Sequence, residues 1–369
     1  MVGDLRVRGA AVVYRLFDVG YEIQLDKAVD LLAASAPERL RPVHGEAQAI
    51  HIPNPPVSVV LGDESLLIAG QHCRAEVSAR LFDFGVASLR VTVPAPDDFT
   101  WAQFSAFGNA VNGDAAIAAL VEHHLQKLRV RVAEAIERPT LAPVREEYVV
   151  YRLTELARDG VPVLAAEALT DADVVPLLLN ESRPLSADAR RELMPHRFSY
   201  FGDDLTILTW DNALVADPAT GDTDVQFVLE FANAQLLELR FYDALLDAEL
   251  PRMYERVARA RSGPRVFPSR RFAHVLSDLQ TLVADSTELV ERVENALKVT
   301  DDVYLAKVYA AALEIFRGRA WRTGIDRKLT IIRETYGMLN DEAQARRSEA
   351  LEIAVVALIL IEFIFGILR

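Results

Sequence analysis

The chain has 369 residues, 51% of them hydrophobic and 25% charged, a balance that supports packed cores and excludes extensive disorder. Its formal net charge of −14 disfavours general nucleic-acid binding and specific DNA recognition, because an acidic surface repels phosphate. A single cysteine, Cys73, excludes an internal disulfide and a cysteine-based metal site, and fits a reducing compartment.

The start, MVGDLRVRGAAVVYRLFDVG, is charged and strand-like, with neither a secretion signal nor the acid-free look of a mitochondrial presequence. A helical stretch, DKAVDLLAAS, follows the first strand. After the Pro-rich break at IPNPP come the alternating runs VSVVLG, ESLLIAG and CRAEVSARLFDFGVASLRVTVP. Pro94 and Pro96 close that region, and a long helix is expected from Trp101 to Ile136. A second set follows: EEYVVYRLTEL as a strand, DADVVPLLL as a helix, DDLTILTWDNALVAD as a strand pair and DVQFVLEFANAQLLELRFYDALL as a helix. The pentapeptide VVYRL opens both sets, at 12–16 and 149–153. The expected fold is therefore α+β, with two ferredoxin-like α/β units side by side, 1–140 and 141–247.

From Val225 onward the pattern is helical. The Arg252–Arg271 stretch holds seven arginines against one acid, Glu255, and its Arg252, Arg256, Arg259, Arg265, Arg270 and Arg271 form the candidate contact for an anionic partner. The alternative for this run is a solvated helix end. A 4-3-4-3 apolar stripe then runs through Leu276, Leu279, Val283, Val290 and Val293, and resumes at Leu329, Ile332, Tyr336 and Leu339. Such a seam suits a partner helix, either within the subunit or in another copy, so 248–349 reads as a long antiparallel, coiled-coil-like region.

The end, Leu351–Leu368, is apolar on every face except for Glu352 and Glu362. At ~1.5 Å per residue it approaches the ~30 Å hydrocarbon thickness. Residues 350–369 are thus expected to be a transmembrane tail anchor carried by Leu351, Val355, Leu358, Ile361, Phe365 and Leu368, with Glu362 turned toward protein. Arg333, Arg346 and Arg347 would keep the bulk of the chain on the cytosolic side of the cytoplasmic membrane. The competing reading is an apolar helix buried in an oligomeric core.

No GxGxxG loop, Walker loop, HExxH or GxSxG is present, and no catalytic residue, cofactor or metal is expected. Glu122, His123 and His124 are adjacent on a helix and point apart, and the Asp203-Asp204 pair suits a turn. The C-terminal region resembles the required-for-meiotic-nuclear-division family through Leu245-Leu246-Asp247, Glu249-Leu250 and Tyr254. Arg327-Lys328-Leu329, Met338-Leu339-Asn340-Asp341, Leu351-Glu352-Ile353 and Ile359-Leu360-Ile361-Glu362 extend the likeness. Ile353 stands where that family usually has an aromatic residue, and the first 80 residues carry no likeness. The resemblance implies a membrane-held, self-associating, non-enzymatic protein, linked in mitochondrial relatives to ribosomes. The expectation is a tail-anchored homo-oligomeric scaffold whose partners are its own copies, the lipid bilayer and the translation machinery. The alternatives are an enzyme with a site between the two α/β units and an oligomeric ion channel lined by the terminal helix.

Overall fold

A short alternation at Leu5–Arg8 and then the continuous apolar run Ala10–Tyr14 build a 14-residue strand, β1, buried on both faces from Ala10 on, which sits in the middle of one large sheet. The computed structural model describes residues 5–39, 50–261, 298–299 and 302–367, apart from 170, 182, 184, 195 and 220, and also isolated positions between 277 and 287. After the helix α1, Leu25–Leu32, come β2 (Val57–Ile68), β3 (Gln71–Leu81) and β4 (Val86–Pro94), a meander with tight connections. Two helices follow, α2 (Trp101–Asn112) and α3 (Ala115–Arg131). Thr100 and Gln103 form a capping box on α2, and the Asp114 carboxylate accepts from the Ala116 and Ile117 amides to start α3. The chain then returns as β5 (Arg145–Arg158), β6 (His196–Phe198), β7 (Leu205–Leu208) and β8 (Asn212–Ala216). Three helices close the described chain: α4 (Asp224–Arg261), α5 (Val303–Ile315) and α6 (Gly318–Ile367).

The sheet has ten strands in the order β6-β7-β8-β5-β1-β4-β3-β2 and then Glu38–Arg39, with Val161–Pro162 pairing off β5. The expectation of two ferredoxin-like layers is corrected here. The two VVYRL segments are direct neighbours in one sheet, antiparallel, with Val13 opposite Val149 and Tyr14 opposite Tyr148. The two halves share a strand order, 1-4-3-2 and 5-8-7-6, but β1 and β4 are antiparallel whereas β5 and β8 are parallel. The physical reason is that alternation fixes which side chains share a face and leaves the neighbouring strand open.

On one face Val7, Ala11, Val13 and Phe17 join Phe104, Phe107, Ile117 and Leu125 in the main core. Close packing against that face needs Gly108, since a Cβ there would lie 2.8 Å from the Tyr151 ring. At the β3–β4 turn, Gly85 has φ +93°, and a Cβ would fall 1.9 Å from the Gly20 carbonyl oxygen, so only glycine fits.

Contact density divides the chain into two compact units, Met1–Glu238 with Arg292–Arg319, and Leu239–Glu291 with Ala320–Arg369. In the first, α5 is capped by Asp302, Tyr304 shares a 3.0 Å hydrogen bond with Thr206, and Phe316 meets Tyr148 edge-on. In the second, Ile325, Leu329, Ile332 and Leu339 of α6 are buried, and Lys328 Nζ reaches Asp243 Oδ1 at 2.7 Å and Asp247 Oδ1 at 2.6 Å.

The transmembrane anchor is also corrected. Among the described residues, no helix is long and apolar enough to cross a membrane. The apolar stretch is the end of α6, a 50-residue helix whose earlier turns are charged. Its described side chains, Leu351–Ile364, extend ~21 Å against a ~30 Å hydrocarbon core, and they include Glu352 and Glu362.

Candidate functional site

The residues singled out in the sequence go to different places. Leu351, Val355, Leu358, Ile361 and Glu362 are exposed on α6, while the Phe365 side chain and Leu368 lie outside the described residues. Arg252 is exposed on α4 and pairs with Glu249 one turn earlier at 2.5 Å. The side chains of Arg256 and Arg259, and all of Arg265, Arg270 and Arg271, lie outside the described residues. Of the seam, Leu329, Ile332 and Leu339 are buried inside the second unit and Tyr336 is half-buried. Val283 is half-buried, whereas Leu276, Leu279, Val290 and Val293 are outside the described residues.

A polar cluster that the sequence did not suggest lies on the sheet face opposite the main core. Register places Arg90 opposite Tyr14, Ser88 opposite Arg80, and Ala10 opposite Arg152, so these groups share a face across four strands. The first turns of α4 cover them. Thr223 and Gln226 cap that helix reciprocally, and Gln226 Nε2 donates to the Tyr14 hydroxyl at 3.4 Å. Arg80 donates to Glu230, whose side chain is 1% exposed, and to Asp222 at 3.4 Å. Arg90 donates to Asp222 and, at 2.9 Å, to Ser78. Burial alone would raise the Asp222 carboxyl, but Arg90, Arg80 and Arg152 outweigh it and hold it below its ordinary value. The arrangement is a clamp that fixes α4 to the sheet. Its sequence signal was available: Arg80 and Arg90 interrupt apolar strand runs, and Glu230 sits between Leu229 and Phe231.

Two further carboxyls are buried nearby in the chain path, Asp18 at the end of β1 and Glu238 on α4. Asp18 accepts a 3.1 Å hydrogen bond from the Gly20 amide, yet burial pushes it up to about 7. Burial, and then the Asp18 charge, push Glu238 well above the usual carboxyl range, and its Oε1 has no hydrogen-bond partner among the described residues.

Three open grooves meet at the ends of β1 and β5. One of about 450 Å³ is lined by Arg6, Arg8, Asp97, Glu155 and Asp159. A second of about 590 Å³ shares Arg8, Asp97 and Glu155 with it and reaches Asp63, Arg74 and Arg152. A third of about 250 Å³ shares Thr154, Glu155 and Pro218 with the second and extends to Asp203 and Asp217. Asp18 and Glu238 line none of the three.

The model of the family described as uncharacterized protein MJ0711, N-terminal domain, matches residues 8–223 of this chain. The chain belongs to that family. A curated relative, uncharacterized protein MJ0711 of Methanocaldococcus jannaschii, is 26% identical over 193 residues, which cover 52% of this chain and 58% of the relative. The chain thus spans little more than half the length of that relative. No solved structure matches. The MJ0711 N-terminal-domain match includes Asp18, Arg80, Arg90, Arg152, Asp222 and the groove linings apart from Arg6 and Val7, and it stops before Glu230 and Glu238. It falls on a different part of the chain from the resemblance noted over Leu245–Leu368.

Proposed function

We propose that this protein is a non-enzymatic scaffold that assembles from copies of itself, with the end of α6 as the shared contact. The carrying observation is exposure. Ten large apolar side chains between Leu351 and Ile364 are each more than half exposed. Together they present roughly 1,000 Å² of apolar surface, more than the ~800 Å² a side that a standard stable interface buries. At ~100° per residue they occupy every side of the helix, so a partner offering one groove leaves much of the surface wet. A bundle of identical helices covers more of it, because each copy both gives and receives an apolar face. The buried seam at Leu329, Ile332 and Leu339 stays inside each protomer, so assembly does not disturb it.

The test compares full-length protein with a chain ending at Ser348, the mass of each being measured by light scattering. The full-length particle is expected at an integral multiple of the protomer mass and the shortened one at a single protomer. A monomeric full-length protein overturns the proposal. The scaffold would carry an anionic partner, ribosomal RNA, on the arginine run that begins at Arg252. Replacing Arg256, Arg259, Arg265 and Arg270 with Gln should reduce salt-sensitive co-sedimentation with ribosomes by about tenfold. Unchanged co-sedimentation removes this part and leaves self-assembly standing.

A further inference from the structure

We infer that the three joined grooves form one docking trough for an extended, arginine-rich peptide segment of a partner protein. Shared lining residues make the grooves continuous, from Arg6 at one end through Glu155 in the middle to Asp203 at the other. Their walls carry seven carboxylates against four guanidiniums. Those four already have partners. Arg8 reaches Asp97 at 3.2 Å and Glu155 at 2.9 Å, Arg74 reaches Asp63 at 3.1 Å, and Arg6 and Arg152 donate to the Asp98 and Gly221 carbonyls. The surplus of acid is therefore left facing the trough, with Asp159, Asp203 and Asp217 toward its ends.

Aromatic faces precede Asp203 in the chain, outside the groove lining itself. Tyr200 and Phe201 are exposed and meet edge-on at 4.7 Å, and the Tyr200 amide donates to Asp204 Oδ1 at 2.7 Å, which holds the turn. Tyr304 lies 5.6 Å from Tyr200. Burial first, and then Asp204, Asp217 and Asp302, push its hydroxyl up to about 12, against the lowering effect of its hydrogen bond with Thr206. Exposed tyrosine and phenylalanine faces beside carboxylates suit a guanidinium, which stacks on the ring and pairs with the acid at once. A row of shallow grooves, each large enough for a side chain, suits a strand-like segment better than one compact ligand.

The experiment measures binding of a fluorescein-labelled peptide of alternating arginine and glycine to the full-length protein by anisotropy. The triple variant Asp159→Asn, Asp203→Asn, Asp217→Asn is expected to bind about tenfold more weakly. The surface triple Glu181→Gln, Asp188→Asn, Glu192→Gln removes the same charge away from the trough and is expected to change binding little. A lysine peptide of equal length should bind more weakly than the arginine one, and Tyr200→Ser should erase that preference without loss of the fold. Equal weakening by the two triples, or equal binding of arginine and lysine peptides, overturns the proposal. The trough lies entirely in the first unit, so neither result depends on the α6 assembly.

Discussion

Replacing Arg80 with methionine is expected to destabilise the first unit by about 3–5 kcal/mol, read as a lower urea midpoint. The methionine keeps the apolar stem and deletes the charge. Glu230 then stays 1% exposed without its guanidinium, while Asp222 retains Arg90. A buried carboxylate stripped of its partner is far more costly than a missing pair, so the sign of the second change differs from the first. Adding Glu230→Gln to Arg80→Met should recover more than half of the loss, because no unpaired charge remains. Additive losses in the double variant, or a single-variant loss below ~1 kcal/mol, would show that the pair does not clamp α4 to the sheet.

Stability should fall as pH rises from the carboxyl range toward neutrality, and Asp18 and Glu238 should account for the slope. Both carboxyls hold their protons more tightly in the folded chain than in the unfolded one. Between the ordinary carboxyl range and the folded value of about 7 for Asp18, the native state binds more protons, so each step up in pH favours unfolding. Below pH 4 both states are protonated at Asp18 and the contribution is flat. Above about 7 the Asp18 cost is complete, at up to ~4 kcal/mol, and Glu238, whose carboxyl is shifted in the same direction, adds a cost of the same sign. Urea midpoints at pH 5 and pH 8 should differ clearly in the wild type and converge in Asp18→Asn with Glu238→Gln, which should be the more stable protein at pH 8. Asparagine keeps an oxygen to accept from Gly20. Parallel slopes in the two proteins would assign the pH dependence elsewhere.

Local structure was legible in the residues, and assembly of that structure was not. The runs VSVVLG and CRAEVSARL alternate with period two, and they are strands at Val57–Ile68 and Gln71–Leu81 because one face of each packs on the core. DVQFVLEFANAQLLELRFYDALL is helical within α4. What alternation lacks is the identity of the neighbour, so a repeated VVYRL suggested two units where the structure has two adjacent strands of one sheet. The α6 stripe at Leu329, Ile332 and Leu339 was visible as a stripe, but periodicity does not say whether the opposing helix belongs to the same protomer. Arg80, Arg90, Asp222 and Glu230 went unread for a related reason. They are separated by up to 150 positions: strand register brings Arg80 and Arg90 to one face, and the first turns of α4, with the residues leading into them, carry Glu230 and Asp222 onto it. The apolar end of α6 was read as a membrane span from its hydropathy, its length and the arginines before it, without its continuity with the charged turns from Gly318.

The place of β1 at the centre of the sheet has a consequence for how the protein is made. Its neighbour on one side, β4, leaves the ribosome soon after it, but the other, β5, is paired through contacts such as Val13 to Val149 and emerges far later. Until then β1 is the edge of a half-built sheet, with a 14-residue row of backbone donors and acceptors open to any passing strand. Pairings that span so much chain are slow to form, so this protein should refold in the slow, millisecond-to-second class and should need its N-terminal half shielded during synthesis.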